Sequence, residues 1–381
     1  MHPFSREIEI EEVELRRVGM RLVRPFETSF GRFLEEEHLI VVLRGAGEVG
    51  YGEAPLHKAP LFSHEDTETA WHVLGDILLP RIAGKRFRRG EDVMEAGRAI
   101  RGHQTAKAAL GFAFHDLQAR LAGEPLWKHF GGSDRRIPVG VALGVEPSIQ
   151  ALLDQVERFV EEGYKRVKIK IRPGWDLAPV SAVRERFPGI QFTVDANAAY
   201  TLKDLPLFKE LDRFDLGYIE QPLAWDDLLD HARLQEEIAT PLCLDESVDS
   251  PRAARAAAEL KACKVLNLKP TRVGGVEATL EIHDICRKAG IPMWCGGRLE
   301  TGIGRLHNVA LATLPGFSLP GDLSASSRYY EEDLVDPPVT VEDGWVRPPK
   351  EPGLGHRVRE DLLERVTLER RLFRAGGEVR S

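Results

Sequence analysis

The chain has 381 residues, 43% of them hydrophobic and 29% charged, a composition that excludes a disordered protein and allows a large core. A formal net charge of −8 argues against a general nucleic-acid-binding surface. The N-terminus lacks the basic region and apolar run of a signal peptide, and no run of 18 apolar residues predicts a membrane span.

The first third of the chain predicts a small α+β domain over residues 1–130. Residues 7–55 read as strands, with a β-branched run at Leu39–Arg44 followed by closely spaced glycines that supply turns. Residues 64–122 read as helices, and Thr105–Arg120 carries apolar residues at helical spacing. Strands followed by helices in one block are typical of an α+β fold.

From about residue 136, short apolar runs alternate with helical segments, and this pattern predicts a barrel over residues 131–322. The eight runs are Ile137–Leu143, Arg166–Ile171, Gln191–Val194, Leu216–Ile219, Pro241–Leu244, Lys264–Leu268, Ile291–Trp294 and Phe317–Leu319. Eight strands with seven intervening helices favour a closed (β/α)7β barrel of the TIM type. An open doubly wound sheet is the alternative fold, but no Gly-x-Gly-x-x-Gly follows an early strand to support it.

The last segment, residues 323–381, is expected to leave the barrel and return to the first domain, so that this α+β domain caps the barrel from both ends of the chain. The segment turns proline-rich after Gly321. Asp361–Arg374 predicts one last surface helix.

Five charged residues recur at intervals of 25, 25, 25 and 24 positions. One strand–loop–helix–loop unit of such a barrel takes about 25 residues, so the five occupy equivalent places in successive units. Each falls at or just past the end of its apolar run, which is the C-terminal mouth where this fold has its active site. The five are Lys170, Asp195, Glu220, Asp245 and Lys269.

The three acids of this series, Asp195, Glu220 and Asp245, predict a metal site. Three carboxylates at one barrel mouth repel one another unless a cation lies between them. The set contains only oxygen ligands, which favours Mg²⁺ or Mn²⁺ over Zn²⁺. The alternative is that each acid caps the following helix or pairs with an arginine.

The lysines predict proton transfer. Lys168 and Lys170 alternate with apolar residues that suit the helix-facing side, so both point into the barrel. Lys269 approaches from the opposite side. Two lysines facing each other over a metal suit proton transfer at a carbon next to a carboxylate, with the enolate stabilised by the metal. The alternatives are structural ion pairs with the acids, or a Schiff-base lysine.

Other residues near the mouth carry a weaker signal. Asn197 and Glu246 lie beside candidate ligands and are expected to support them, although hydrogen bonding to loops is the simpler interpretation. The glycine-rich segment Gly296–Arg305 follows the seventh run and has backbone groups suited to an anion.

These segments together resemble the enolase superfamily, muconate-lactonising subgroup. The resemblance rests on Lys168-Ile169-Lys170, Asp195-Ala196-Asn197, Glu220-Gln221-Pro222, Asp245-Glu246-Ser247 and Lys269. Within the subgroup, other segments resemble the o-succinylbenzoate synthase and N-acylamino acid racemase family. They are Phe26–Gly31, Lys168–Asp176, Trp294–Gly297, Leu299–Arg305 and Leu319–Asp322.

The resemblance implies roles for these residues. Asp195, Glu220 and Asp245 would ligate Mg²⁺, with Mn²⁺ as a substitute, and Lys170 and Lys269 would be the acid/base pair. Lys168 would support Lys170. The loop containing Phe26 and Ser29 would cover the substrate, and Glu300 would lie near it. Arg298 departs from the family, which commonly has Met there. It either pairs with a substrate carboxylate or points away from the site.

Two reactions follow from the resemblance. One is syn-dehydration of 2-succinyl-6-hydroxy-2,4-cyclohexadiene-1-carboxylate to o-succinylbenzoate through an enediolate, a step of menaquinone biosynthesis. The other is racemisation of N-acylamino acids, and one enzyme can do both. Alternatives from other classes are a non-catalytic ligand-binding barrel and a Schiff-base lyase. We expect a small carboxylate substrate, no nucleic-acid or membrane partner, and a homo-oligomer. The four cysteines lack a Cys-x-x-Cys pair and indicate a reduced, cytoplasmic protein.

Overall fold

The computed structural model of the chain describes residues 7–27, 31–61 and 63–379. In chain order the strands are β1 (Ile8–Glu9), β2 (Glu12–Glu27), β3 (Arg32–Gly45), β4 (Glu48–Leu56), β5 (Arg86–Phe87), β6 (Ile137–Pro138), β7 (Gly140–Leu143), β8 (Arg166–Lys170), β9 (Phe192–Asp195), β10 (Ile219–Glu220), β11 (Leu242–Leu244), β12 (Val265–Leu268), β13 (Met293–Cys295), β14 (Val335–Asp336), β15 (Trp345–Val346), β16 (Arg357–Val358), β17 (Thr367–Arg374) and β18 (Gly377–Glu378).

The α-helices follow the same order. They are α1 (Thr67–His72), α2 (Gly90–Glu95), α3 (Gln104–Ala122), α4 (Leu126–His129), α5 (Ile149–Glu161), α6 (Leu177–Arg186), α7 (Leu205–Leu211), α8 (Leu228–Glu237), α9 (Pro251–Glu259), α10 (Pro270–Val273), α11 (Val276–Ala289), α12 (Gly302–Ala312) and α13 (Glu360–Val366). A π-helical segment continues α1 over Val73–Leu78.

The seven strands β7 to β13 form one parallel sheet in which neighbours in space are neighbours in sequence. The predicted eighth run closes the ring, because Phe317 forms a parallel bridge to Met293 of β13 and Gly321 forms one to Val139 beside β7. Each of the first seven predicted runs overlaps a strand of this sheet. The prediction of a (β/α)7β barrel is therefore confirmed.

Several helices around the barrel begin and end at residues that are typical helix caps. The hydroxyl of Ser148 accepts the N–H of Ala151 at the start of α5, and Ser250 caps α9, in which Pro251 is the first residue. Gly290 ends α11 with a left-handed φ of 69°. The helices bury their apolar faces against the strands, and this packing holds the strand ends in place.

The capping domain is built on a five-stranded antiparallel sheet with the order β18-β17-β2-β3-β4. Helix α3 lies across β4 at close range, because two glycines of that strand present no side chain to it. A Cβ at Gly52 would lie 2.0 Å from the carbonyl oxygen of Ala109, and one at Gly50 would lie 2.1 Å from that of Ala113. The sheet therefore needs glycine at both positions.

The C-terminal segment returns to the capping domain, as expected, but not as one helix. Helix α13 covers Glu360–Val366, and the chain then continues as β17, which pairs antiparallel with β2. The prediction of a helix over Asp361–Arg374 is wrong for its second half, because β2 supplies hydrogen-bonding partners that local sequence does not reveal.

Within the described part of the chain, no helix combines the length and the apolar character needed to cross a bilayer.

Candidate active site

The five regularly spaced charged residues meet at the C-terminal mouth of the barrel, and all five are buried. Lys170 ends β8, Asp195 ends β9 and Glu220 ends β10, and these three stand side by side in the sheet register. Asp245 directly follows β11, and Lys269 directly follows β12. Residues that are equally spaced in the sequence therefore lie close together in space, because they are at the ends of neighbouring strands.

Lys168 contacts three acids of the cluster. It precedes Lys170 by two residues in β8 and therefore points to the same side, deeper in the barrel. Its Nζ donates to Glu220 Oε2 at 2.7 Å and to Asp322 Oδ2 at 2.8 Å, and it lies 3.6 Å from Asp195 Oδ2. Burial alone would lower the pKa of Lys168, but the carboxylates of Asp322, Glu220 and Asp195 outweigh it and raise the pKa well above its usual value. Lys168 is therefore held as a cation that organises the acids.

Lys170 faces the mouth of the barrel, where Asp195 and Asn197 hold it. Its Nζ donates to Asp195 Oδ2 at 2.7 Å and to Asn197 Oδ1 at 2.6 Å. Asn197 has a left-handed φ of 43°, which asparagine tolerates better than most residues, and its Nδ2 donates to Glu246 Oε1 at 3.1 Å. Asn197 therefore connects Lys170 to Glu246, whose pKa burial and the charge of Asp195 raise to about 7.

Lys269 lines the same pocket from β12. Its Nζ donates to Asp245 Oδ2 at 2.8 Å, and Asp245 also receives a short hydrogen bond from Arg272. Burial lowers the pKa of Lys269, and the positive charges of Lys168 and Arg298 act in the same direction. Lys170 and Lys269 thus enter one pocket from two different strands, each beside its own carboxylate.

The acids have the chemistry of a hard-cation site, although the structure pairs them with lysines. Among the residues described, no group of three or more His, Cys, Asp or Glu side chains is gathered closely enough to hold a metal. Asp195, Glu220 and Asp245 are nevertheless buried, come from adjacent strands and offer only oxygen. This donor set fits Mg²⁺ or Mn²⁺ and not a thiolate- or imidazole-seeking metal.

Four further residues are predicted to lie near the substrate, and the structure gives them different places. Phe26 and Arg298 line the pocket with the lysines, and Arg298 Nη1 donates to the carbonyl of Pro55 at 2.7 Å. Glu300 does not line the pocket; its Oε1 accepts the N–H of Arg298 at 2.6 Å and Asn308 Nδ2 at 3.0 Å. Ser29 lies outside the described residues.

Several contacts were not anticipated from the sequence. Asp322 pairs with Lys168 and also with Arg166, whose Nη2 lies 2.5 Å from its Oδ1. Asn267 Nδ2 donates to Glu220 Oε1 at 2.8 Å. The alternation that pointed Lys168 inward also points Arg166 inward, so period two was the available signal for Arg166. Asp322 is not part of the series of charged residues spaced about 25 positions apart. The eighth strand next to it consists of only two isolated β-bridges, so no regular strand marks its position in the sequence.

Comparison with known proteins decides the family. The model described as "Mandelate racemase / muconate lactonizing enzyme, N-terminal domain" matches residues 10–131, and "Enolase C-terminal domain-like" matches residues 151–362. The chain belongs to the mandelate racemase and muconate lactonizing enzyme family of the enolase superfamily. Enzymes of this superfamily generally use a divalent metal ion.

Similar family members carry two names. An N-succinylamino acid racemase of Thermus thermophilus is 47% identical, with 96% of this chain and 99% of that protein covered. An o-succinylbenzoate synthase of Bacillus subtilis is 42% identical, with 97% and 100% covered. The solved structure of an enolase-superfamily member from Listeria innocua superposes with a TM-score of 0.92 at 37% identity, with 96% and 99% covered. The barrel and its cap thus recur throughout the matched length.

Proposed function

We propose that the chain is an o-succinylbenzoate synthase that dehydrates 2-succinyl-6-hydroxy-2,4-cyclohexadiene-1-carboxylate in menaquinone biosynthesis. The observation that carries the proposal is the pair Lys170 and Lys269, which line one pocket with Nζ atoms 2.7 and 2.8 Å from separate carboxylates. Relatives that are 46% and 42% identical over almost their whole length bear this name.

In this proposal Asp195, Glu220 and Asp245 hold Mg²⁺, for which Mn²⁺ substitutes. The bound ion supplies Lewis-acid stabilisation for negative charge that develops on the substrate carboxylate. With a metal bound, the carboxylates of Asp195 and Asp245 would act as its ligands, and the amines of Lys170 and Lys269, which contact these carboxylates, would be available to the substrate. Asn197 and Glu246 support the site, since Asn197 hydrogen-bonds both Lys170 and Glu246.

Lys170 removes the proton from the carbon next to the ring carboxylate and then, as an ammonium, delivers a proton to the departing hydroxyl on the same face. One base acting twice on one face produces syn elimination. Lys269 serves as a cation on the other side of the ring. Lys168 keeps Asp195 and Glu220 in position and so supports Lys170.

The second candidate is N-succinylamino acid racemase, the name of the relative that is 47% identical. The lysine pair favours it, because racemisation needs one base on each face of the α-carbon. In this reaction Lys170 and Lys269 each remove the proton of one enantiomer and return it to the other. Both reactions start with proton removal next to a carboxylate, and one site serves both.

Substrates of both kinds carry a second carboxylate on the succinyl group. We assign that carboxylate to Arg298, which lines the pocket beside the lysines. Glu300 holds the backbone of Arg298, and Phe26 and Ser29 belong to the loop that covers the substrate. The boundaries of the three chain segments are proposed at residues 130 and 322. The protein is proposed to be a cytoplasmic homo-oligomer, consistent with four buried cysteines with free thiols.

A side-by-side assay of the purified protein with Mg²⁺ tests the proposal. One arm contains the cyclohexadiene carboxylate, and the other contains N-succinyl and N-acetyl amino acids. Efficient dehydration with weak racemisation supports the synthase, and the reverse result supports the racemase. Both activities should disappear when a chelator removes the metal. Absence of both activities in the metal-loaded protein would contradict the proposed function.

A further inference from the structure

A second cavity, with a volume of about 1040 Å³, adjoins the candidate active site. Its walls come from the end of β2, the segment after β7, helix α5 and residues 325–329. Phe26 and Tyr329 line both this cavity and the pocket that contains the lysines. The two cavities are therefore neighbours.

The charge of this cavity is opposite to that of the protein as a whole. Arginines outnumber glutamates along its walls, although the chain has a net charge of −8. The arginines are Arg24, Arg32, Arg158, Arg172 and Arg328, and the acids are Glu27, Glu146 and Glu162. Burial raises the pKa of the Glu146 carboxyl, and the positive charges of Arg328 and Arg24 act in the opposite direction. We call this cavity the arginine groove.

Two of its arginines lie over the same aromatic ring. The guanidinium carbons of Arg158 and Arg328 lie 4.3 and 4.6 Å from the centroid of the Phe159 ring. The Nε atoms of both arginines are buried and have no hydrogen-bond partner among the described residues. Arg158 Nε is 3.7 Å from Glu162 Oε1, too far for a hydrogen bond. Their positive charge is therefore only partly compensated.

Arg328 also connects the groove to the barrel mouth. Its Nη2 donates to the carbonyl oxygen of Ala142 at 2.5 Å. Ala142 lines the active-site pocket, and in the sheet it is the register partner of Lys168. Arg328 thus links the groove to β7, the strand that pairs with β8, which carries Lys168 and Lys170.

We propose that the arginine groove is an anion-collecting access site that binds small organic dianions with carboxylate groups and delivers them to the barrel mouth. The inference rests on the proposed function, whose substrates carry two carboxylates. A groove with an excess of one sign of charge concentrates ligands of the opposite sign. The benefit grows with ligand charge, so an N-succinyl amino acid gains more from the groove than the N-acetyl form of the same amino acid.

The test compares the double variant Arg24→Gln/Arg158→Gln with a matched control, Arg233→Gln/Arg255→Gln. The control removes the same charge from exposed ion-paired arginines on α8 and α9 that do not line the groove. In the groove variant, kcat/KM for the N-succinyl substrate should fall about fivefold to tenfold at low ionic strength, and that for the N-acetyl substrate about twofold. The kcat values should be unchanged.

Salt provides the second arm of the test. At about 0.5 M NaCl the difference between the variants should largely vanish, because exposed charges are screened. The control variant should match the wild type throughout. Equal losses for both substrates, or equal losses in the control, would overturn the proposal.

A binding experiment separates this proposal from the proposed function. Succinate, an inert dianion, is titrated into each protein at low salt and followed by saturation-transfer NMR. The groove variant should bind succinate several-fold more weakly than the control. If the wild type turns over no substrate but this difference is present, the proposed function fails and the groove stands as an anion site. Equal succinate affinity in both variants overturns the groove whatever the turnover.

Discussion

Glu53 of the capping sheet and Thr301 at the barrel mouth are joined by two hydrogen bonds. Glu53 Oε1 accepts the N–H of Thr301 at 3.0 Å, and Oε2 accepts its hydroxyl at 2.6 Å. Burial raises the pKa of Glu53 to about 8 despite these donors. His38 lies 3.3 Å away, but burial lowers its pKa to about 3, so this contact is not an ion pair at neutral pH.

The raised pKa of Glu53 predicts a pH-dependent stability. The folded protein keeps the Glu53 proton up to about pH 8, whereas the unfolded chain loses it near its ordinary pKa of about 4.3. Stability from this residue is therefore fully present below the unfolded pKa and is lost as pH rises toward 8. Glu53→Gln removes this pH dependence. As the pH rises from 6 to 8, the free energy of unfolding of Glu53→Gln should therefore increase relative to that of the wild type by on the order of 2 kcal/mol. Denaturant melts at several pH values measure this, and a pH-independent difference would contradict it.

The two lysines should be distinguishable by isotope exchange. In D₂O, Lys170→Ala should lose α-proton exchange with one enantiomer of an N-succinyl amino acid and Lys269→Ala with the other, because each base serves one face. Both variants should lose dehydration by roughly 10²-fold or more. Lys165→Ala is the control, since this lysine pairs with Asp343 outside the pocket. Equal loss for both enantiomers in each variant would argue against two-base racemisation.

The three acids should be required for metal binding. Asp195→Asn, Glu220→Gln and Asp245→Asn should each weaken Mg²⁺ binding by at least about tenfold in calorimetric titrations, because each removes an oxygen ligand. Mg²⁺ should raise the Tm of the wild type by mass action and not that of the variants. Asp322→Asn is the comparison: it removes a partly buried carboxylate of the same cluster and should change the affinity much less. Unchanged affinity in all three variants would exclude this ligand set.

Arg298 should determine preference for the succinyl group. Arg298→Met removes a cation from the pocket while keeping an unbranched side chain. KM for N-succinyl amino acids should rise about tenfold or more, because a charge-assisted hydrogen bond is lost. KM for N-acetyl amino acids should change little. Arg298→Lys, which retains the charge, is the control. A parallel rise for both substrate types would instead indicate a structural role through its contact with Pro55.

Because α3 lies close to β4, adding one methyl group to a glycine of β4 should strongly destabilise the protein. Gly52→Ala should destabilise the protein by about 3 kcal/mol, because the new Cβ would meet the backbone oxygen of Ala109, which cannot move without shifting the helix. Gly189→Ala is the matched control, since nothing lies within 4 Å of its Cβ position. Thermal melts of the two variants compare these costs. Similar Tm values for both would contradict the packing argument.

Much of the site follows from sequence because the barrel repeats. The 25-residue interval places Lys170, Asp195 and Glu220 at successive strand ends, and parallel pairing brings successive ends together. Alternation along β8 gives the inward direction of Lys168. These are local regularities, which a single sequence displays.

Other features depend on contacts between distant residues, and these the sequence does not display. The segment Thr367–Arg374 is rich in charged residues and leucine and reads as helix, yet β2 takes it as a strand. The pairing of each acid with a particular cation, such as Asp245 with Arg272, also depends on side-chain geometry at the closed mouth. Glu300 is predicted either to contact the substrate or to support the residues that do, and the sequence does not reveal its partners, which are the N–H of Arg298 and Nδ2 of Asn308.

The position of β17 in the capping sheet has a consequence for synthesis on the ribosome. Strand β2 pairs with β3 on one side and with β17 on the other, and β17 is translated more than 300 residues after β2. At a translation rate of about 5–20 residues per second, the edge of β2 that pairs with β17 stays unpaired for roughly half a minute. Charged residues such as Arg16 and Arg17 lie along this edge and discourage pairing with other nascent chains. The cap is thus completed only after the barrel strands and β17 have been made.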